Sequence, residues 1–324
     1  NITRLRLELS MPLSQRPIAI LLMAMGGPDC LDNVEPYLTD VRGGRPTSPE
    51  LVEEIRTRYR MTGGKSPVLE ITREVAGALE RRLNDSGKAR YRCYVGLRHW
   101  HPSIKETYAE LRQACPERII GLCMAPQYSS LSIGAYMQQV EDARAACADE
   151  TPISFVTSWH RHPLLIAAIV EHIQRTLNTF PAGVREQVPV VFTAHSLPER
   201  VIAMKDPYPE EVHGTAQAVC AQLGDRPTRF AYQSQGRSGE SWLGPSVEAT
   251  VEALADEGHR HVLVAPIGFL CDHVETLYDI DIELTESARA KGIDLKRIPM
   301  LNASAPLIDI LTSVVDAHES TLVD

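Results

Sequence analysis

The feature that most constrains this chain is a recurrence of eight short, continuous apolar runs. Four lie in the first half: PIAILLMAM (17–25), YRCYVGLR (91–98), RIIGLCMAP (118–126) and PISFVTS (152–158). Four lie in the second: VPVVFTAH (188–195), RFAYQSQ (229–235), HVLVAPIGF (261–269) and LKRIPML (295–301). Runs that are apolar throughout, rather than alternating, suit strands covered on both faces. Helical sequence separates them. Ser48-Pro49 supplies an N-cap and a first-turn proline, and Gly63-Gly64 ends that helix. Ser66-Pro67 opens the next, with Val68, Leu69, Ile71, Val75, Leu79 and Leu83 on one face. Ser103 and Glu106 form a capping-box pair. The 164–178 stretch is strongly apolar, and the run after Pro306 reads as a terminal helix. Strands alternating with helices predict α/β architecture with parallel sheets. The repeated rhythm predicts two similar doubly wound domains. Residues 1–165 form one, with a helical insertion near 33–85. Residues 166–324 form the other, with the terminal helix packing back.

With 324 residues, 44% of them hydrophobic, the chain can bury such a core. A net charge of −9 and the lack of a Lys/Arg stripe exclude a nucleic-acid partner. Seven scattered cysteines with no CxxC spacing predict free thiols in a reducing cytosol. The C-terminal tail has no cysteine, so no iron–sulfur cluster is expected there. No apolar run reaches the roughly 18 residues of a membrane span. The leading NITRLRLELS lacks the apolar core of a signal peptide, so a cytoplasmic location is expected, with Met11 as a candidate start.

Several motifs fail. Gly64-Lys65-Ser66 resembles the end of a phosphate-binding loop, but Tyr59 stands where its first glycine belongs and a helix precedes it. Met25-Gly26-Gly27-Pro28 is not GxGxxG, and neither GxSxG nor HExxH occurs. The pairs His99/His101, His160/His162 and His259/His261 could hold zinc on a strand. Each lies at an element end beside Arg or Trp, where surface and capping roles compete.

Three segments carry chemistry. His195 in FTAHSLPER ends a predicted parallel strand, the place where open α/β sheets bind ligands. An imidazole there acts as a base, ligates a metal, or caps the following helix. In IGFLCDHVETLYDIDIE, Glu275, Asp279 and Glu283 are spaced four apart on one face of a predicted helix. Like charges so placed repel, which makes sense on a face that binds a cation or passes protons. The alternative is an N-terminal capping box of Asp272 and Glu275. Tyr232-Gln233-Ser234, followed by Trp242-Leu243-Gly244-Pro245, suits the wall of a flat apolar pocket, although Trp242 suits an ordinary core equally well.

Together with MAMGGPD, TGGKSPVLEIT, VGLRHWHPSI, APQYSSLSIGAY, DPYPEEV and YQSQGRSGESWLGP, these segments resemble the ferrochelatase family, from about residue 17 to 320. The resemblance implies two Rossmann-like chelatase domains, each a four-stranded parallel sheet flanked by helices, with a porphyrin cleft between them. It implies insertion of ferrous iron, a substrate rather than a bound cofactor, into coproporphyrin III or protoporphyrin IX for haem b synthesis. It places the metal-site and catalytic pair on His195 and Glu275, and an acidic ladder on Asp279 and Glu283. Met25, Arg42, Arg58, Tyr59, Ser66, Tyr136 and Trp242 fall among the porphyrin contacts. DPYPEEV and the SQGRSGESWLGP loop look like the branch that metallates coproporphyrin III. Met25 looks like the branch that metallates protoporphyrin IX, so both porphyrins stay open. The charged stretch SPELVEEIRTRYRMTGGKSP replaces the apolar lip of membrane-attached relatives, so no stable membrane anchoring is expected. The chain is expected to be a monomer. Cobalt and nickel chelatases of the same fold usually carry a second histidine where Glu275 stands, and a porphyrin carrier would need no acidic ladder.

Overall fold

The structure, a computed structural model, describes residues 16–87, 89–236 and 239–323. The leader with Met11, and Arg237 and Ser238 of the SQGRSGESWLGP loop, lie outside the described residues. The chain forms two units: one runs to Trp159 and resumes at Asn302, and the other is His160–Leu301.

In the first unit, β1 (Ile18–Ala24) is followed by α1 (Val34–Val41), α2 (Pro49–Met61) and α3 (Val68–Asp85). Then come β2 (Tyr91–Leu97), α4 (Ile104–Leu111), β3 (Ile119–Cys123), α5 (Ile133–Ala146) and β4 (Ile153–Val156). The four strands are parallel, in the order β2-β1-β3-β4. Every residue of β1 is buried, as its unbroken apolar sequence requires of a central strand. On one face, Ala19, Leu21 and Met23 pack with Ile104, Tyr108 and Leu111 of α4 and Ile133, Tyr136 and Val140 of α5. The start signals act as read. The Ser48 hydroxyl accepts from the Leu51 N–H, and Ser103 and Glu106 close a reciprocal capping box. The Ser66 hydroxyl accepts from the Val68 N–H.

The second unit contains α6 (Pro163–Leu177), β5 (Val190–His195), α7 (Arg200–Ala203), α8 (Tyr208–Cys220), β6 (Thr228–Gln233) and α9 (Val247–Asp256). It continues with β7 (His261–Pro266), α10 (Val274–Leu277), a π-helical turn (Asp279–Leu284), α11 (Thr285–Ala290) and β8 (Asp294–Arg297). Its sheet is also parallel, in the order β6-β5-β7-β8. Each unit therefore starts in the middle of its sheet and builds outward to both sides. The carboxyl end of the first strand, β1 or β5, is the point where the strand order reverses.

Three expectations need correction. The division falls after Trp159 rather than after residue 165, and the last helix belongs to the first unit. That helix, Ala305–Val323, is tied there by polar contacts. Glu319 accepts from the Tyr91 hydroxyl and from Arg118, His318 Nε2 lies 2.9 Å from Ser154 Oγ, and Asp309 pairs with Arg82 at 2.8 Å. Second, the acidic ladder does not lie on a plain α-helix. The Glu283 N–H donates to the Tyr278 carbonyl five residues back, at 2.9 Å, which widens the turn. Third, Asp272 and Glu275 form no capping box. His273 caps α10 instead, its Nδ1 accepting from the Thr276 N–H while Thr276 Oγ1 accepts from the His273 N–H. The strands are also one to four residues shorter at several ends than the apolar runs. The runs continue into loops whose apolar side chains stay buried outside the strands, as at Ile267. The cysteines are free thiols. Among the described residues no helix is long and apolar enough to cross a membrane.

Candidate active site

The carboxyl end of β5 is built to bring His195 and Glu275 together. β5 is buried from Val190 to Ala194, and its last residue, His195, emerges half-buried. The chain leaving β7 crosses this end at close range. The N–H groups of Ile267 and Gly268 both donate to the Thr193 carbonyl, at 2.8 and 3.3 Å. A Cβ on Gly268 would lie 2.9 Å from Ala194 Cβ and 3.0 Å from Ala194 Cα, so only glycine allows this approach. The loop then runs through Asp272 and His273 into α10, and Glu275 faces His195. Nδ1 of His195 lies 3.3 Å from Glu275 Oε2. The two meet as an ion pair rather than through an aligned hydrogen bond.

Burial alone would push the His195 imidazole down. The Glu275 carboxylate, with Asp279 beyond it, outweighs burial and holds the pKa above the ordinary 6.5. His273 moves the other way. Burial pushes it down, only partly offset by Glu275, and the charge of His195 adds to the fall. Because its Nδ1 accepts from Thr276, its proton sits on Nε2, which is buried and has no hydrogen-bond partner. Two histidines about one carboxylate thus have their pKa values moved in opposite directions. The ladder leads outward from this pair: Glu275 and Asp279 are half-buried and Glu283 is exposed.

Neighbouring strands fix these groups in place. Gln233, at the end of β6, is paired with His195 in the ladder. Its amide donates to the Glu275 carbonyl at 3.1 Å, and its oxygen accepts from Thr193 Oγ1 at 2.6 Å. Ser234 follows in a left-handed conformation, φ 58°, and its hydroxyl donates to Asp279 Oδ2 at 2.6 Å. Tyr208, from the DPYPEEV segment, donates to the His195 carbonyl at 2.9 Å. The sequence reading assigned none of these roles, nor one to His273. YQS was read as a pocket wall, and DPYPEEV was noted without a task for its tyrosine. Trp242 is half-buried and bridges to Pro198, on the loop just after His195.

The remaining candidates lie in the first unit, mostly around the equivalent end of β1. Met25 follows β1 directly, and its side chain is among the exposed large hydrophobics. Tyr59 and Ser66 are buried against Gly27, where a Cβ would lie 2.5 Å from Ser66 Oγ and 3.4 Å from the Tyr59 hydroxyl. Arg42 caps α1, and its Nε is buried with no hydrogen-bond partner. Arg58 donates to Glu54 at 3.1 Å. Tyr136 is buried under the guanidinium of Arg98, 5.5 Å from the ring centre. Five of the six rings of the His-x-His pairs meet different carboxylates. His99 meets Asp40, His101 meets Glu106, His160 meets Glu211, His259 meets Glu257 and His261 meets Asp294. Among the described residues no group of three or more His, Cys, Asp or Glu side chains is placed to hold a metal. His195 and Glu275 provide one nitrogen and one oxygen donor, an open and mixed pair.

The sequence profile of the family described as Ferrochelatase matches residues 17–319. The chain belongs to the ferrochelatase family. Relatives include the ferrochelatase of Herpetosiphon aurantiacus, 43% identical over 92% of this chain and 97% of that one. The ferrochelatase of Deinococcus radiodurans is 38% identical, over 94% and 96%. Coproporphyrin III ferrochelatase 1 of Bacillus cereus is 35% identical, over 93% and 97%. Among solved structures, SirB from Bacillus subtilis with Fe3+ superposes with a TM-score of 0.60 at 10% identity, over 93% of this chain and 94% of SirB. At that identity the likeness is one of fold alone, and it agrees with the paired sheets of a ferrochelatase.

Proposed function

We propose that the chain inserts ferrous iron into a porphyrin, releasing the two pyrrole protons, as a step of haem synthesis. The observation that carries this reading is the His195–Glu275 ion pair at the end of β5, with Asp279 held behind it by Ser234. A pair with one nitrogen and one oxygen donor binds a divalent ion weakly enough to give it up to four pyrrole nitrogens. In the resting pair the Glu275 carboxylate favours the protonated form of His195. Arriving iron displaces that proton, and Asp279 and Glu283 offer it a route to water. As the ion passes to the pyrrole nitrogens it frees both donors, and His195 and Glu275 would then take up the two protons that the pyrrole N–H groups lose as the metal–nitrogen bonds form. The remaining ring contacts supply binding energy that holds the macrocycle with its lone pairs toward the metal. In the first unit, Arg42 and Arg58 are suited to propionates, since a guanidinium fork matches a carboxylate. Tyr59, Ser66 and Tyr136 in that unit, and Trp242 in the second, would line the ring. The exposed side chain of Met25, directly after β1, would be a further ring contact. The free thiols support a reducing compartment, and this reading takes the enzyme to work in the cytoplasm as a monomer.

The test is anaerobic incubation with ferrous iron and either coproporphyrin III or protoporphyrin IX, followed by visible absorption. Iron insertion is expected, and the faster porphyrin names the substrate. His195→Ala is expected to reduce the rate at least about a hundredfold, as loss of a residue in proton transfer does. Tight porphyrin binding without insertion would overturn the reading in favour of a carrier.

A further inference from the structure

Arg297, the last residue of β8, is nearly buried, with 10% of its side chain exposed. Every nitrogen of its guanidinium is engaged. Nε donates to Asp281 Oδ1 at 2.7 Å, and Nη2 donates to Asp281 Oδ2 at 2.8 Å. Nη2 also lies 3.1 Å from Asp272 Oδ1, and Nη1 donates to the Ile298 carbonyl at 3.1 Å. Asp272 precedes Glu275 by three residues, and Asp281 follows Asp279 by two. One guanidinium therefore grips the chain on both sides of the Glu275–Asp279 turn.

That turn needs an external tie. Asp272, Glu275, Asp279, Asp281 and Glu283 place five carboxylates in twelve residues, and like charges on adjacent turns repel. α10 is a single turn of four residues, far too short to be stable alone, and it runs into a π-helical turn. Arg297 offsets one of the two charges on the carboxylates that are not part of the ladder, and it fixes their spacing with a planar contact that is bidentate to Asp281. A lysine ammonium, a point charge on a flexible stem, cannot reproduce that contact.

We infer that Arg297, through Asp272 and Asp281, is the positioning residue that holds Glu275 and Asp279 in the arrangement that accepts iron. The inference rests on the iron-insertion reading. It assigns Arg297 a role that neither touches the metal nor reduces to general stability. Partners that orient metal ligands from behind typically contribute 10–100-fold in metal affinity or activity when removed.

The test uses Arg297→Lys, which keeps the charge, and Asp281→Asn, a milder change at a more exposed position that keeps the test open if the lysine variant fails to fold. Folding is checked by circular dichroism and thermal melting. KM for ferrous iron, KM for porphyrin and kcat are then measured anaerobically. The expected result is an iron KM raised at least about tenfold, with porphyrin KM and kcat changed less than about twofold. A folded variant with wild-type iron KM, or with both KM values raised equally, overturns the inference. If the unaltered protein inserts no iron, the functional reading fails, and amide hydrogen exchange of residues 276–283 judges the clamp. Faster exchange in the variants retains it, and unchanged exchange overturns it.

Discussion

Replacing Gly268 by alanine tests whether the crossing of β5 by the chain leaving β7 sets the site. The new Cβ would lie 2.9 Å from Ala194 Cβ and 3.0 Å from Ala194 Cα. Carbon atoms settle at about 3.5–4.0 Å, so the two chains must part by at least about 0.5 Å. One of the opposing atoms is backbone, so no side-chain rotation relieves the clash. The parting also stretches the N–H contacts of Ile267 and Gly268 to the Thr193 carbonyl. Overpacking of this kind costs about 1–3 kcal/mol, which urea unfolding resolves as a lower midpoint with an unchanged slope. Ala194 precedes His195 directly, so the displacement is delivered to the site. A misplacement of about 1 Å can cost about a hundredfold in rate, so half of that predicts a loss of about tenfold in iron insertion. Gly183→Ala in the same unit is the control, because nothing lies within 4 Å of a Cβ there. If Gly268→Ala matched Gly183→Ala in both unfolding and iron insertion, the close approach would not be what places His195.

Three further outcomes are expected. In Glu275→Gln, burial is no longer outweighed at His195 and its pKa falls, so the midpoint of the pH–rate profile for residual insertion moves to lower pH; an unmoved midpoint would refute the electrostatic account. The same shift has a sign in stability. Because the folded pKa of His195 lies above the ordinary 6.5, its contribution is full below that value and disappears as pH rises through the raised pKa. Urea midpoints of the native protein and the variant, followed from about pH 6 upward, should therefore converge with rising pH. In the first unit, Glu319→Ala removes the acceptor for the Tyr91 hydroxyl and for two guanidinium nitrogens of Arg118. It should destabilise by about 1–3 kcal/mol, read by thermal melting.

The strands were legible because a strand buried on both faces is mostly apolar along its length, as β1 is throughout and β5 is through Phe192. The capping signals at Ser48 and Ser103 were legible because they act within four residues. The boundary was not, because the last helix returns to the first unit through Tyr91, Arg118, Ser154 and Arg82, contacts that no local pattern announces. His195 and Glu275 stood out through their segments and spacing, and the structure brings them together. The supports behind them did not stand out. Gln233 reaches Glu275 only because β6 lies beside β5 with His195 opposite Gln233, and Arg297 reaches Asp281 only because β8 lies beside β7. Both depend on strand order. The π-helical turn was hidden for a different reason: carboxylates four apart fall on roughly one side of a wider turn as they do of an α-helix. A His-x-x-Thr pattern at 273–276 was the one available signal for the cap on α10, and the acidic residues around it drew attention away.

The return of the last helix has a consequence for synthesis. In chain order the second unit is an insertion within the first, complete at Leu301 while the first still lacks the segment from Asn302 onward. Domains emerging from a ribosome usually finish in the order they begin. Here the unit that begins first must finish last. Until the helix Ala305–Val323 emerges, the surfaces that receive Leu307, Ile310, Leu311 and Val315 have no cover, and Arg82, Tyr91 and Arg118 await their acidic partners. The unit that carries His195 and Glu275 can close before the one that carries Tyr59 and Ser66, so a chain stalled near residue 301 would hold one complete unit and one that still lacks its last helix.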